Sequence, residues 1–124
     1  MSGEDVVRLS VPATLEYLRI VRLTTSGVAS RLGFDIDEIE NLRVAIDELT
    51  NLVVERAALG PLELDFRAIS GNLEITGHAP VSAGAEFAVD DLTEQILKAV
   101  VDDYEIRVAG PVVRFRCTRR LPSE

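Results

Sequence analysis

Asp47 and Asn51 are the pair of side chains whose types and spacing could do chemistry, standing four residues apart in a stretch of helical periodicity. That spacing projects both from one side of a helix. A carboxylate and an amide oxygen so placed suit a hard cation such as magnesium, or a general base beside its metal. The plain alternative is a solvated polar column of the kind many acidic helices carry. Other chemistries find less. The single histidine, His78, has no evident Ser or Cys partner for a nucleophilic relay. The single cysteine, Cys117, forms no intramolecular disulfide, and one Cys with one His makes no structural zinc cluster. Gly71, Gly77, Gly84 and Gly110 are too scattered for a Walker-type loop or a dinucleotide fingerprint.

The elements that must position Asp47 and Asn51 follow from periodicity. Asp5–Val11 alternates apolar and polar residues and reads as a strand that Pro12 ends. Ala13–Leu32 reads as an amphipathic helix with Leu15, Leu18, Val21, Val28 and Leu32 on its inner stripe, stopped by Gly33. Asp35 with Glu38 three residues later forms a capping-box start. The helix it opens runs from about Ile36 to about Ala58, burying Ile39, Leu42, Ile46, Leu49 and Val53. Leu62–Ile69 and Leu73–Gly77 flank Ser70-Gly71-Asn72 as a hairpin, and Tyr104–Ala109 and Val112–Thr118 flank Gly110-Pro111 as a second. Between them, His78–Val89 has no period and reads as a loop. A short helix capped by Asp90 or Asp91 follows, with Leu92, Ile96, Leu97 and Val100 inward.

At 124 residues the chain reads as one domain, residues 1–124, large enough for a core. The order of elements gives an α+β class: a two-layer sandwich with a mixed, mostly antiparallel sheet of about five strands and helices on one face. Hydrophobic residues at 47% exclude a disordered chain. No apolar run approaches the roughly 18 to 20 residues that span a bilayer, and no secretory signal is visible, so the expected setting is cytoplasmic and away from membranes. The acidic side chains gather in 35–55 and 86–105 and only the tail is basic, which disfavours nucleic-acid binding.

From Leu32 the chain reads L-G-F-D-I-D-E-I-E-N-L-R-V-A-I-D-E-L-T-N-L-V-V-E. This segment resembles the second-helix region of the GHKL ATPases, specifically the branch of RsbW-type anti-sigma factors and serine kinases. The branch carries an N box on this helix, L-x-V-A followed by a glutamate and an asparagine four residues apart; the stretch here reads Leu42-Arg43-Val44-Ala45-Ile46-Asp47-Glu48-Leu49-Thr50-Asn51, with Asp47 and Asn51 at that separation. V-R-L-T-T-S-G-V-A at Val21–Ala29 and V-V-R-F-R at Val112–Arg116 extend the likeness over most of the chain. The resemblance implies a histidine-kinase-like ATPase fold, with nucleotide held between helix and sheet. It implies Asn51 as the magnesium ligand and Asp47 at the place of the catalytic glutamate, both only in an active site. It also implies Arg22 as a partner-binding residue on the first helix, a sigma factor or a STAS-domain antagonist as partner, and a homodimer.

The chain departs from the family pattern at three places. After the third strand the family has D-x-G-x-G, whose aspartate accepts from the adenine amino group, whereas this chain reads T-G-H-A-P-V-S-A-G with Ala79 near the aspartate position. The glycine-rich lid motif is replaced by A-E-F-A-V-D-D-L-T-E-Q, and the closing G-T-T by Gly110-Pro111-Val112. The sequence is therefore read as a degenerate member: a regulator that binds a sigma factor or antagonist without a nucleotide cofactor. The alternative is an ATP- and magnesium-dependent serine kinase that phosphorylates the antagonist.

Overall fold

The computed structural model describes residues 5–82, 84–86 and 88–122. The chain runs β1 (Val6–Pro12), α1 (Leu18–Arg31), α2 (Ile36–Val54), β2 (Pro61–Ile69), β3 (Asn72–Pro80), α3 (Asp91–Val100), β4 (Asp103–Ala109) and β5 (Val112–Arg120). The class is the expected α+β. The five strands lie in the order β1-β2-β3-β5-β4, and every neighbouring pair is antiparallel, so the sheet is not mixed.

Alternation along the strands sorts the sheet into two faces. Leu62, Leu64, Phe66, Leu73, Ile75, Val113, Phe115 and Cys117 face the helices and are buried. The other face carries Arg8, Glu63, Asp65, Thr76, His78, Arg114 and Arg116. One close approach fixes the middle of the sheet. A Cβ on Gly77 would stand 2.3 Å from Cε2 of Phe115, its cross-strand partner, so only glycine lets the Phe115 ring lie flat against β3.

The first helix differs from its sequence reading at its start. Ala13 and Thr14 are not helical, and Leu15–Tyr17 form a separate 3-10 turn, with the Tyr17 N–H donating to the Thr14 carbonyl at 3.1 Å. The tighter winding turns Leu15 out to solvent, and the buried positions of α1 are Leu18, Val21, Thr25 and Ala29. Thr25 is accommodated because its hydroxyl donates to the Val21 carbonyl at 2.8 Å. Pro12 closes β1 from within rather than from outside it.

Helix α2 is shorter than expected, ending at Val54 instead of Ala58. Residues beyond it are drawn toward the sheet, where the Ala58 N–H donates to the Pro80 carbonyl at 2.8 Å and Ala57 bridges to Val81. The same contacts extend β3 to Pro80, so the irregular segment begins only after Val81 rather than at His78. On α3, Leu92 is exposed instead of inward, and Thr93 and Leu97 take the buried positions. The Asp90 carboxylate accepts from the Thr93 N–H at 2.7 Å, which fixes the helix start and leaves Leu92 about 100° off the inward direction.

Candidate functional site on the second helix

Two devices fix the rotation of α2, and with it the aim of Asp47 and Asn51. At its start the Asp35 carboxylate accepts from the Glu38 N–H at 2.8 Å, and the Glu38 carboxylate accepts from the Asp35 N–H at 3.0 Å. Both arms of the expected capping box are present. Along its length Leu42, Ile46, Leu49 and Val53 are locked into the core. Ile39 packs against that core half-buried.

The structure brings two of the expected residues together. Arg22 on α1 donates from Nε to Oδ1 of Asp47 at 2.6 Å. Both side chains keep about a third of their surface, at 37% for Arg22 and 34% for Asp47. The pair is a charge-assisted bond across the seam between α1 and α2, reachable from solvent. Asn51 lies one turn further on, half-buried, and among the described residues its amide takes no hydrogen bond. Thr50 between them is buried and donates to the Ile46 carbonyl at 2.6 Å.

Across the helix–sheet layer, the position that the sequence likeness set near an adenine-binding aspartate is apolar. Ala79 and Val81 are buried members of the core, and the Val81 N–H donates to the Pro111 carbonyl at 2.8 Å. Ala79 and Val81 both carry apolar side chains, which accept no hydrogen bond. Gly60 rests against the Pro80 ring, where a Cβ would stand 2.5 Å from Cγ. Pro80 and Val81 are thus a strand end held from both sides.

Sequence reading missed the tether at the end of α2. Arg56 donates from Nε to the Glu86 carbonyl at 3.0 Å, joining α2 to the irregular segment 30 residues on. An arginine just past a helix end is a common C-terminal feature, and nothing local marks its distant acceptor. It also missed the joining of Arg22 to Asp47, since two residues 25 positions apart on different helices share no periodic signal.

The remaining candidates fall away from this seam. His78 lies on the outer face of the sheet, opposite Glu63 and Arg114. Cys117 is buried on the inner face, and burial pushes its thiol up to about 12, which leaves it inert at neutral pH. Among the described residues no three His, Cys, Asp or Glu side chains gather as a metal site. A cavity of about 750 Å³ opens between the C-terminal turn of α1 and the β1–β2 edge, beside Gly27, Val28 and Phe66, and does not reach Asp47. No described helix is long and apolar enough to cross a membrane.

No family model matches the chain. It is 40% identical over 78 residues to the serine-protein kinase RsbW of Bacillus subtilis, covering 60% of this chain and 49% of that protein. Against the serine-protein kinase RsbW of Oceanobacillus iheyensis the identity is 38% over 79 residues, covering 60% and 50%. The chain thus spans about half the length of the curated relatives it matches. Among solved structures, the RsbU and RsbW domains of a Mycobacterium tuberculosis protein share the fold, with a TM-score of 0.75 at 18% identity over 94% of this chain and 32% of that one.

Proposed function

We infer that this chain, a relative of the RsbW serine-protein kinases by sequence and of the RsbU–RsbW structure by fold, is an RsbW-like regulator. It acts by binding a sigma factor, a STAS-type antagonist or both, so controlling transcription, and it works without ATP. The observation that carries the loss of ATP is the closed adenine side. Ala79 and Val81 are core residues where a base-specific carboxylate would have to stand, and Pro80 is pinned between Gly60 and Ala58. A buried polar contact missing from a pocket costs about 1 to 3 kcal/mol of affinity, before the absent phosphate loop is counted.

Arg22 is the proposed partner contact. It stands half-exposed on α1, and Asp47 holds its guanidinium in one orientation, which lowers the entropy lost when an acidic or carbonyl group of a partner docks. On this reading Asp47 is a positioning residue for Arg22. The same half-exposed surface, a homodimeric state and a cytoplasmic setting belong to the proposal, as does the absence of nucleic acid or membrane from its partners.

A second reading, the active kinase, is favoured by the retention of Asp47 and Asn51 on one side of α2 and by the kinase names of its relatives. Asn51 would then hold magnesium and Asp47 would serve as base, although Asp47 Oδ1 already accepts from Arg22. Calorimetric titration with ATP and magnesium separates the readings. The expected result is no saturable heat up to millimolar nucleotide. Micromolar binding, with phosphate transfer lost in Asp47→Ala and Asn51→Ala, would establish the kinase instead.

A further inference from the structure

We propose that the outer face of the sheet carries a binding site for a phosphate dianion, free or as a monoester, centred on Arg114. The site lies on the side of the sheet turned away from the helices, so it stands whether or not the chain binds ATP. It is a cavity of about 670 Å³ opening over the strands, with Arg107, Arg114, Arg116, Thr76 and His78 in its lining.

Strand register sets the donors side by side. Arg114 of β5 lies directly opposite Arg107 of β4 and, on its other side, directly opposite His78 of β3. The three form one row across the sheet, with Cβ atoms about 5 Å apart from strand to strand. Thr76 stands on the same face two residues before His78, half-buried, and among the described residues its hydroxyl makes no hydrogen bond.

Two arginines directly opposite each other destabilise a sheet unless negative charge lies between them. Three of the four arginines lining the cavity have a carboxylate in reach: Arg8 meets Asp65 at 3.5 Å, Arg107 meets Glu105 at 3.4 Å and Arg116 meets Asp103 at 2.9 Å. Arg114 is the exception, with no ion pair or side-chain hydrogen bond among the described residues. The charges of β4 are accounted for by its place at the edge of the sheet, where they keep other strands away. β5 is an interior strand, so edge protection does not explain Arg114, and a chain of net charge −8 has carboxylates to spare for it.

The donors select the ligand. Two guanidinium groups carry two positive charges, which a dianion neutralises and a single carboxylate does not. Glu105 approaches Arg107 at Nε, which leaves its terminal amino groups to a ligand held against Arg114. His78 offers one N–H in either neutral tautomer, and Thr76 a hydroxyl. Donors thus converge from three strands, which suits the several oxygens of a tetrahedral anion better than the two of a planar one. Glu63, on the far side of His78, adds a negative wall that confines the anion to the Arg114 end.

Nuclear magnetic resonance of the full chain tests the site, reading backbone amides and arginine Nε–H signals during titration with inorganic phosphate. The pH is slightly alkaline, so that phosphate is a dianion, and sodium chloride holds the ionic strength constant. Saturable shifts at Arg107, Arg114, His78 and Thr76 are expected, with a dissociation constant on the order of 1 mM. Arg114→Gln is expected to weaken binding by at least about tenfold, whereas Arg31→Gln, at the end of α1, leaves it unchanged. Arg114 is exposed and its replacement relieves the repulsion with Arg107, so the fold is retained, as the rest of the spectrum will show. A parallel titration with methyl phosphate separates the sources: tighter binding assigns the site to a phosphate monoester, and equal or weaker binding to the free ion. Shifts no larger than chloride produces, shifts centred outside the cavity, or an Arg114→Gln variant that binds like the wild type would each overturn the site.

Discussion

Arg22 and Asp47 are the residues on which sequence and structure meet most directly. Sequence assigned them separate roles, one toward a partner and one toward chemistry, and the structure joins them by one bond of 2.6 Å. Their side chains are about one-third exposed, so solvent screens the pair and its worth to folding is small. A double-mutant cycle of Arg22→Ala and Asp47→Ala, read by chemical denaturation, is expected to give a coupling of no more than about 1 kcal/mol. Loss of partner binding in Arg22→Ala at nearly unchanged stability would then report lost recognition. A coupling of several kcal/mol would make the pair a structural brace and remove the ground for treating Arg22 as a contact.

At the scale of elements, caps did most to fix boundaries. The Asp35–Glu38 box and the Asp90 cap were both legible, because each is a local exchange between side chain and backbone within four residues. Asp90 adds a pH dependence. The Thr93 N–H, and after it the Thr93 hydroxyl, holds its carboxyl below the ordinary 3.8. A lowered acid contributes stability that is present above the unfolded value and is lost as pH falls through the folded one. The difference in melting midpoint between the wild type and Asp90→Ala is therefore expected to be constant at neutral pH and to shrink once pH drops below about 4. A difference that persists unchanged in acid would show that the carboxylate cap is not what holds α3. Leu15 and Leu92 were misread for the opposite reason: each lies within a turn of a helix start, where periodicity does not say how the first turn is wound.

At the scale of the whole molecule, the question is whether the helix–sheet layer has room for a ligand. Added ATP and magnesium at a concentration equal to or below their dissociation constant stabilise by at most RT ln 2, about 0.4 kcal/mol. Millimolar nucleotide is therefore expected to move the thermal midpoint by no more than about 2 °C. A shift of many degrees would overturn the closed adenine side and favour the kinase reading. The sequence by itself determined the element order, the two hairpins, the inner stripe of α2 and the N-box likeness, all of which rest on spacing within a few residues. It also placed Ala79 where an acceptor would be needed. Only the tertiary structure decided that β1 pairs antiparallel with β2 and β3 with β5, that β3 runs on to Pro80 against the end of α2, and that Arg22 meets Asp47. The physical reason is distance along the chain: these contacts join residues 20 or more positions apart, and their partners are chosen by packing of the assembled layers, which no local period encodes.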